Sequence, residues 1–167
     1  MTGAAPAADI VVDVIAEAAA WDEVPAEDLA RRAVDAALAE AKVMLAPGAE
    51  VSIVLTDDAR IRELNRQWRG MDKPTNVLSF PAAEGEAIGQ AAHLGDIILA
   101  YETIAREAEA EGKTIADHLC HLVIHGILHL LGQDHMTDQD AEVMEAQEIA
   151  ALARLGIADP YREPPDV

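Results

Sequence analysis

The sequence predicts one compact domain of the α+β or α/β layer type, a sheet with helices packed against it. Three observations predict it. Short runs rich in β-branched residues alternate with longer stretches of helical periodicity. Of the 167 residues, 51% are hydrophobic, enough to fill a single core. Neither a GxGxxG nor a GKT/S loop occurs, so the mixed pattern comes without a nucleotide-binding fingerprint, and no internal repeat is visible.

In chain order, residues 9–15 (DIVVDVI) read as a first strand. WDEVPAEDLARRAVDAALAEA follows as a packing helix, with Pro25 suited to a first turn and Ala30, Val34, Ala37, Leu38 and Ala41 on one face. Val51, Ile53 and Leu55 alternate as a second strand. Thr56 or Asp57 can cap a helix bearing Ile61, Leu64 and Trp68, which Gly70 ends. Pro74 precedes a short strand from Val77 to Phe80 that Pro81 stops, and AAEGEAIGQAAH reads as an exposed loop. LGDIILA (94–100) is a further strand, burying Ile97 and Leu99 or their neighbours. Asp96, near its start, suits a surface turn as well as a functional role. A helix over 102–111 ends at Gly112, and Thr114 with Asp117 starts the next. Thr137 with Asp140 starts the last helix, striped by Met144, Ala151, Leu152 and Leu155. Gly156 then stops it before a proline-rich tail. The domain spans 1–167, with 1–8 and 157–167 expected to be loose termini.

A single cysteine excludes an internal disulfide and suits a reducing compartment. The amino terminus lacks the basic region and apolar run of a signal peptide, and no stretch approaches a membrane span, so the expected address is the cytoplasm, with no membrane partner. The net charge of -19 runs against the positive footprint usual for nucleic-acid binding. The basic residues are uneven, however: Arg60, Arg62, Arg66, Arg69 and Lys73 fall close together, a local basic rim on an acidic chain.

The stretch HGILHLLGQDH, residues 125–135, carries the chemistry. His125 and His129 lie one helical turn apart on one face, where both imidazoles can reach one metal ion. Gly132 permits a left-handed helix end, after which His135 can swing back as a third ligand. Three neutral imidazoles leave one position of a tetrahedral zinc open for a water. The spacing matches the metzincin HExxHxxGxxH, but Gly126 stands where the general-base Glu should be, which argues against peptide hydrolysis by that mechanism. Among the neighbours, His121 is one turn before His125 and could compete as a ligand. His118 lies about 10 Å along the axis, too far to share the ion, and reads as a partly buried residue or a substrate contact in the cleft. Cys120 reads as a core filler, and Asp134 is placed to orient a ligand histidine.

HGILHLLGQDH, RGMDKPTNVLSFP and LGDIILA resemble, together, the YbeY family of bacterial metalloproteins described as endoribonucleases of ribosomal RNA maturation. The resemblance covers roughly residues 50–156. It implies a central four-stranded mixed sheet flanked by helices, one Zn2+ held by His125, His129 and His135, and single-strand-specific cleavage near the 3′ end of small-subunit rRNA. The small ribosomal subunit and its proteins are the implied partners, in ribosome maturation or quality control. The family's RGxDKPT arginine falls on Arg69, whose guanidinium can pair two oxygens of a scissile phosphate. Lys73 can bind a neighbouring phosphate, and His125 with Arg69 forms the expected catalytic pair. Two positions depart from the family: Gln133 where tyrosine is common, and Met71 where a basic residue is frequent.

The nucleophile is open at this point, since a zinc-bound hydroxide and the RNA 2′-hydroxyl both fit. Two other classes of protein share the pattern. A zinc-dependent hydrolase of another substrate, including a peptidase, would draw a carboxylate base from Asp96 or Asp134. A non-catalytic ribosome assembly factor would use zinc only to pin the last two helices, its acidic surface docking on basic ribosomal proteins.

Overall fold

The computed structural model describes residues 10–134 and 136–161. The expected loose segment 1–8 and the last six residues therefore lie outside the described part. Four strands form one sheet in the order β1-β2-β4-β3: β1 (Val11–Ala16), β2 (Glu50–Thr56), β4 (His93–Ala100) and β3 (Val77–Pro81). β1, β2 and β4 run parallel, and β3 is antiparallel to β4, so the sheet is mixed, as the resemblance implies.

The two faces of the sheet are covered unequally. Val12, Val51, Ile53, Leu55, Ile97 and Leu99 point into the main core. Three helices fill that face: α1 (Ala26–Ala41), α4 (Ile115–Leu130) and α5 (Asp138–Arg154). On the opposite face α2 (Asp58–Arg69) lays Ile61 and Leu64 over Leu78, Ile98 and Phe80. β4 is therefore buried on both faces, which is why its sequence runs apolar without alternation. α3 (Tyr101–Glu111) follows β4 directly and packs beside α4.

The caps follow the sequence signals. Asp57, rather than Thr56, accepts the backbone N–H of Arg60 at 2.9 Å, while Thr114 and Thr137 cap α4 and α5 by accepting from Asp117 and Asp140, each at 3.0 Å. Thr56 is buried because its carbonyl accepts the indole N–H of Trp21 at 2.9 Å. Trp21 belongs to a separate 3-10 turn, Ala19–Glu23, so the first helix starts only after Pro25.

Two expectations are corrected. The presumed exposed loop after β3 contains a 3-10 helix, Gly85–Gln90, whose Ile88 is buried in the main core; one apolar residue among small ones was enough to anchor it. The tail does not leave the body at residue 157. Ile157 donates its N–H to the Leu152 carbonyl at 3.0 Å, and Tyr161 returns onto α4 and α5 through its hydroxyl.

Candidate metal centre

α4 is the most deeply set helix. Ten of its sixteen residues are buried, from His118 to Leu130, while His121, His125 and His129 fall four apart along its partly open stripe. The helix therefore offers the histidines to one side and hydrocarbon to every other. The rings of His125 and His129 have centroids 4.6 Å apart at 76°.

Gly126 explains how the helix lies so close to the sheet. A Cβ there would stand 3.0 Å from both Cδ1 and Cγ2 of Ile97 on β4. Side chains at position 126 would point into the sheet, so a glutamate in the metzincin position would be driven into Ile97 and away from the histidines. At the end of α4, Leu130 packs on Gly95, where φ is +144° and a Cβ would meet the Phe80 carbonyl oxygen at 2.4 Å.

The ring of His125 is oriented from behind by Glu148 of α5. Its Nδ1–H donates to Glu148 Oε2 at 3.0 Å, while His121 Nε2–H and the Tyr161 hydroxyl donate to Oε1 at 2.5 and 2.6 Å. Glu148 is only 1% exposed. Burial alone would raise its pKa, but the hydrogen bonds from His121, His125 and Tyr161 hold it down at about 2. An ionised carboxylate accepts only, so each histidine nitrogen facing it carries the proton. Nε2 is then the ligand atom that His125 has to offer, and a carboxylate behind a ligating imidazole is the common support of zinc-bound histidine. The donor chemistry of this pair fits zinc. Among the described residues, no group of three or more His, Cys, Asp or Glu side chains could hold a metal ion, and the expected third ligand, His135, lies outside them.

His121 is held by Glu148 through Nε2 as His125 is through Nδ1, which leaves its Nδ1 as the other ring nitrogen. His118 is buried, with Nε2 2.8 Å from Glu107 Oε1. Burial lowers its pKa against the pull of the Glu107 hydrogen bond. Cys120 fills the core, and burial pushes its thiol up to about 11. Asp134 does not orient a histidine among the described residues; its Oδ1 accepts the N–H of Met136 at 3.1 Å, closing a local turn. Asp96 shares the sheet face of Ile98, opposite α4, and sits 3.4 Å from His93. Neither carboxylate is set to serve as a base at the histidines.

Cavities reach each member of the pair. One of about 420 Å³ is walled by Asn76, Glu107, His118, His121, His125 and Tyr161, among others. The second, about 320 Å³, is lined by Pro81, Glu84, His129 and Gln133. His125 is thus reached from a cavity at the start of β3, and His129 from one at its end. Arg69 and Lys73 are exposed and line neither cavity. They belong to the connection from α2, on the far face of the sheet, to β3. That connection is fixed: buried Asn65 donates Nδ2–H to the Lys73 carbonyl at 2.9 Å, Met71 N–H donates to the Asn65 carbonyl at 3.3 Å, and Arg62 pairs with Asp72 at 2.9 Å.

Glu148 and Tyr161 escaped sequence reasoning, although a signal existed for the first. Glu148 lies four residues after Met144 and four before Leu152, so a carboxylate sits in the apolar stripe of α5. Buried carboxylates need partners, and histidines were the available ones. Tyr161 follows Pro160 in irregular chain, and no periodicity marks it.

Fold and site together define a class: a small α+β protein with a mixed four-stranded sheet and an i, i+4 histidine pair on a buried helix, braced by a carboxylate from the next helix. The family model described as "Endoribonuclease YbeY" matches residues 13–156, and the chain belongs to that family. A protein named Endoribonuclease YbeY from Methylocella silvestris is 53% identical, the match covering 92% of this chain and 87% of the relative. One of the same name from Azorhizobium caulinodans is 56% identical over 92% of this chain and 97% of its own length. Among solved structures, the solution structure of TM1509 from Thermotoga maritima is similar in fold, with a TM-score of 0.56 at 24% identity, covering 92% of this chain and all of that one. Among the described residues, no helix is long and apolar enough to cross a membrane.

Proposed function

We propose that this chain is a zinc-dependent, single-strand-specific endoribonuclease that processes ribosomal RNA near the 3′ end of the small-subunit RNA. The observation that carries the reading is the pair His125 and His129 on the open stripe of a buried helix, with His125 braced by Glu148 and a cavity reaching each histidine. The relatives' printed names supply the substrate class. The small ribosomal subunit and its proteins are the partners in this reading, and the cytoplasm is the place of action.

His125, His129 and His135 would hold the ion. Zinc, when bound, supplies a Lewis acid and lowers the pKa of a coordinated water. The protein's part is positional and electrostatic. Glu148 fixes the tautomer and direction of His125. In this reading RNA passes beside Asn76 towards the connection 70–76, where the exposed Lys73 would hold a neighbouring phosphate, and Arg69, at the end of α2 and outside both cavities, would have to swing towards the scissile phosphate to offset the charge that builds there. The basic run from Arg60 to Lys73 concentrates on that side, so an acidic chain still offers phosphates a favourable approach. Peptide hydrolysis is disfavoured by Gly126, whose position faces Ile97 and leaves no room for the usual base.

The test is cleavage of a single-stranded RNA spanning the 3′ end of small-subunit rRNA, beside the same sequence annealed to its complement. Zinc-quantified wild type, Arg69→Ala and His129→Ala are compared. Wild type should cut only the single strand. Arg69→Ala should keep its metal and lose roughly 10²–10³-fold in rate, the size expected for removing one charge-stabilising donor. His129→Ala should lose both metal and cleavage. Zinc-loaded wild type that leaves the RNA intact, or Arg69→Ala that cuts it equally fast, overturns the reading.

A further inference from the structure

The cavity of about 420 Å³ beside His125 has a chemistry of its own. Among the described residues its walls carry Glu107 and Glu111 against one cation, Lys113, which is itself paired with Glu111 at 2.8 Å. A phosphate would be repelled there. A nucleobase would not, because its edge offers N–H donors to a carboxylate.

Glu107 is built for such a contact. Its Oε1 accepts from His118 Nε2 at 2.8 Å and from Asn76 Nδ2 at 2.9 Å, so the carboxylate is locked between α4 and the start of β3. His118 is 4% exposed, which makes the lock rigid. Both of these bonds fall on Oε1, and Oε2 has its acceptor capacity left for a ligand. The Glu107 side chain is 35% exposed, so that capacity can be reached. His121 and Tyr161, edge to face with centroids 5.5 Å apart, supply an aromatic wall of the same cavity. Sequence-specific RNA recognition uses this combination: a splayed base stacked on aromatic rings and read on its Watson–Crick edge.

We propose that this cavity is a nucleobase pocket that selects guanine, with the two lone pairs of Glu107 Oε2 shared between the base's N1–H and exocyclic amine and Lys113 donating to O6. Guanine is the base whose Watson–Crick edge sets two adjacent donors beside an acceptor, matching a carboxylate and an ammonium on the walls of one cavity. Uracil lacks the amine, and cytosine and adenine present ring acceptors where guanine presents a donor. The proposal deepens the ribonuclease reading and rests on it: the base seated here belongs to a nucleotide next to the cut.

The test compares single-stranded oligoribonucleotides of uniform uridine carrying one guanosine, one inosine or no purine, cut by zinc-loaded full-length wild type and by Glu107→Gln. Inosine keeps N1–H and lacks the exocyclic amine, so it probes the contact without altering the protein. Wild type should favour cutting beside guanosine by about tenfold or more over uridine, the size of one added hydrogen bond to a charged group, and inosine should fall between. Glu107→Gln should flatten that ranking. Equal cutting of all three, or a preference that Glu107→Gln retains, overturns the pocket. Binding of guanosine, inosine and uridine 5′-monophosphates, followed by shifts of the His118 and His121 ring resonances, is measured alongside. If no RNA is cut at all, the ribonuclease reading falls, and the monophosphates decide the pocket separately. Guanosine binding that Glu107→Gln abolishes keeps it, as a site for a free guanine nucleotide, and no discrimination among the three overturns it.

Discussion

Glu148→Gln changes one atom of a buried side chain and asks whether the carboxylate sets the metal ligand or merely fills α5. Three donors converge on it: His121 and Tyr161 on Oε1, His125 on Oε2. A glutamine has one acceptor oxygen, which the two donors at Oε1 would claim. Its amide N–H would then face Nδ1 of His125, and two hydrogens cannot share that gap. His125 would relieve the clash by moving its proton to Nε2, which blocks the lone pair a metal needs. Loss of one hydrogen bond to a buried charge, with weakening of the others, costs about 2–3 kcal/mol. At this size that is roughly 5–10 °C in melting temperature. Zinc affinity should fall about 10–100-fold, the usual consequence of losing the partner behind a ligating histidine. Competition with a calibrated chelator gives the affinity, and thermal denaturation of the apo-protein gives the stability. His121→Phe is the control, since it removes another donor to Glu148 without touching His125; it should lower stability while leaving zinc affinity within a few-fold. If Glu148→Gln binds zinc as tightly as wild type, the carboxylate does not orient the ligand and that part of the reasoning fails.

Three further outcomes follow from the geometry. Gly126→Ala forces a methyl against Ile97, a fully buried residue, and should cost about 1–3 kcal/mol by overpacking, read as a lower denaturation midpoint with zinc stoichiometry retained. Asn65→Leu swaps a buried amide, whose Oδ1 has no partner among the described residues, for a hydrocarbon of similar size. Its stability should change by only about 1 kcal/mol, while amide exchange over residues 70–76 accelerates because the Lys73 carbonyl has lost its anchor. Asp58 accepts from Thr103 Oγ1 at 2.6 Å and from Arg106 at 2.8 Å, and these bonds outweigh the burial that opposes them, holding its carboxyl below the usual 3.8. A depressed carboxyl lends stability above its unfolded value and loses it as pH falls through the folded one. The melting-temperature gap between wild type and Asp58→Asn should therefore be widest near neutrality and close in acid below pH 3.8.

Much of the fold was legible because local signals and burial agreed. The caps at Asp57, Thr114 and Thr137, the helix ends at Gly70 and Gly112, and the apolar run 94–100 each pointed to one structure. The order of strands was not legible from periodicity, which reports which residues of a strand are buried and not which strand lies beside it. The residue patterns marked four strands, and only the resemblance supplied their union in one mixed sheet. At the site, the spacing of His125 and His129 placed both rings on one helix face, because i, i+4 geometry is local. What braces them was invisible for the same reason: Glu148 and Tyr161 lie 23 and 36 residues away from His125, brought in by the packing of α5 and the returning tail. Asp134 was the near neighbour in sequence, and its short side chain was spent on its own turn. Gly126 shows the reverse case. Its departure from the metzincin pattern was plain in the sequence, and the structure supplies the cause in the closeness of α4 to Ile97.

The central claim is that His125, His129 and His135 hold an ion with one position left for solvent or substrate. X-ray absorption at the zinc edge of the reconstituted full-length protein tests it most directly. The account predicts three imidazole nitrogens at about 2.0–2.1 Å and one light-atom ligand exchangeable with added phosphate or halide, together with loss of an imidazole shell in His129→Ala. A closed set of four protein ligands that ignores added anions, or a spectrum unchanged by His129→Ala, would contradict it.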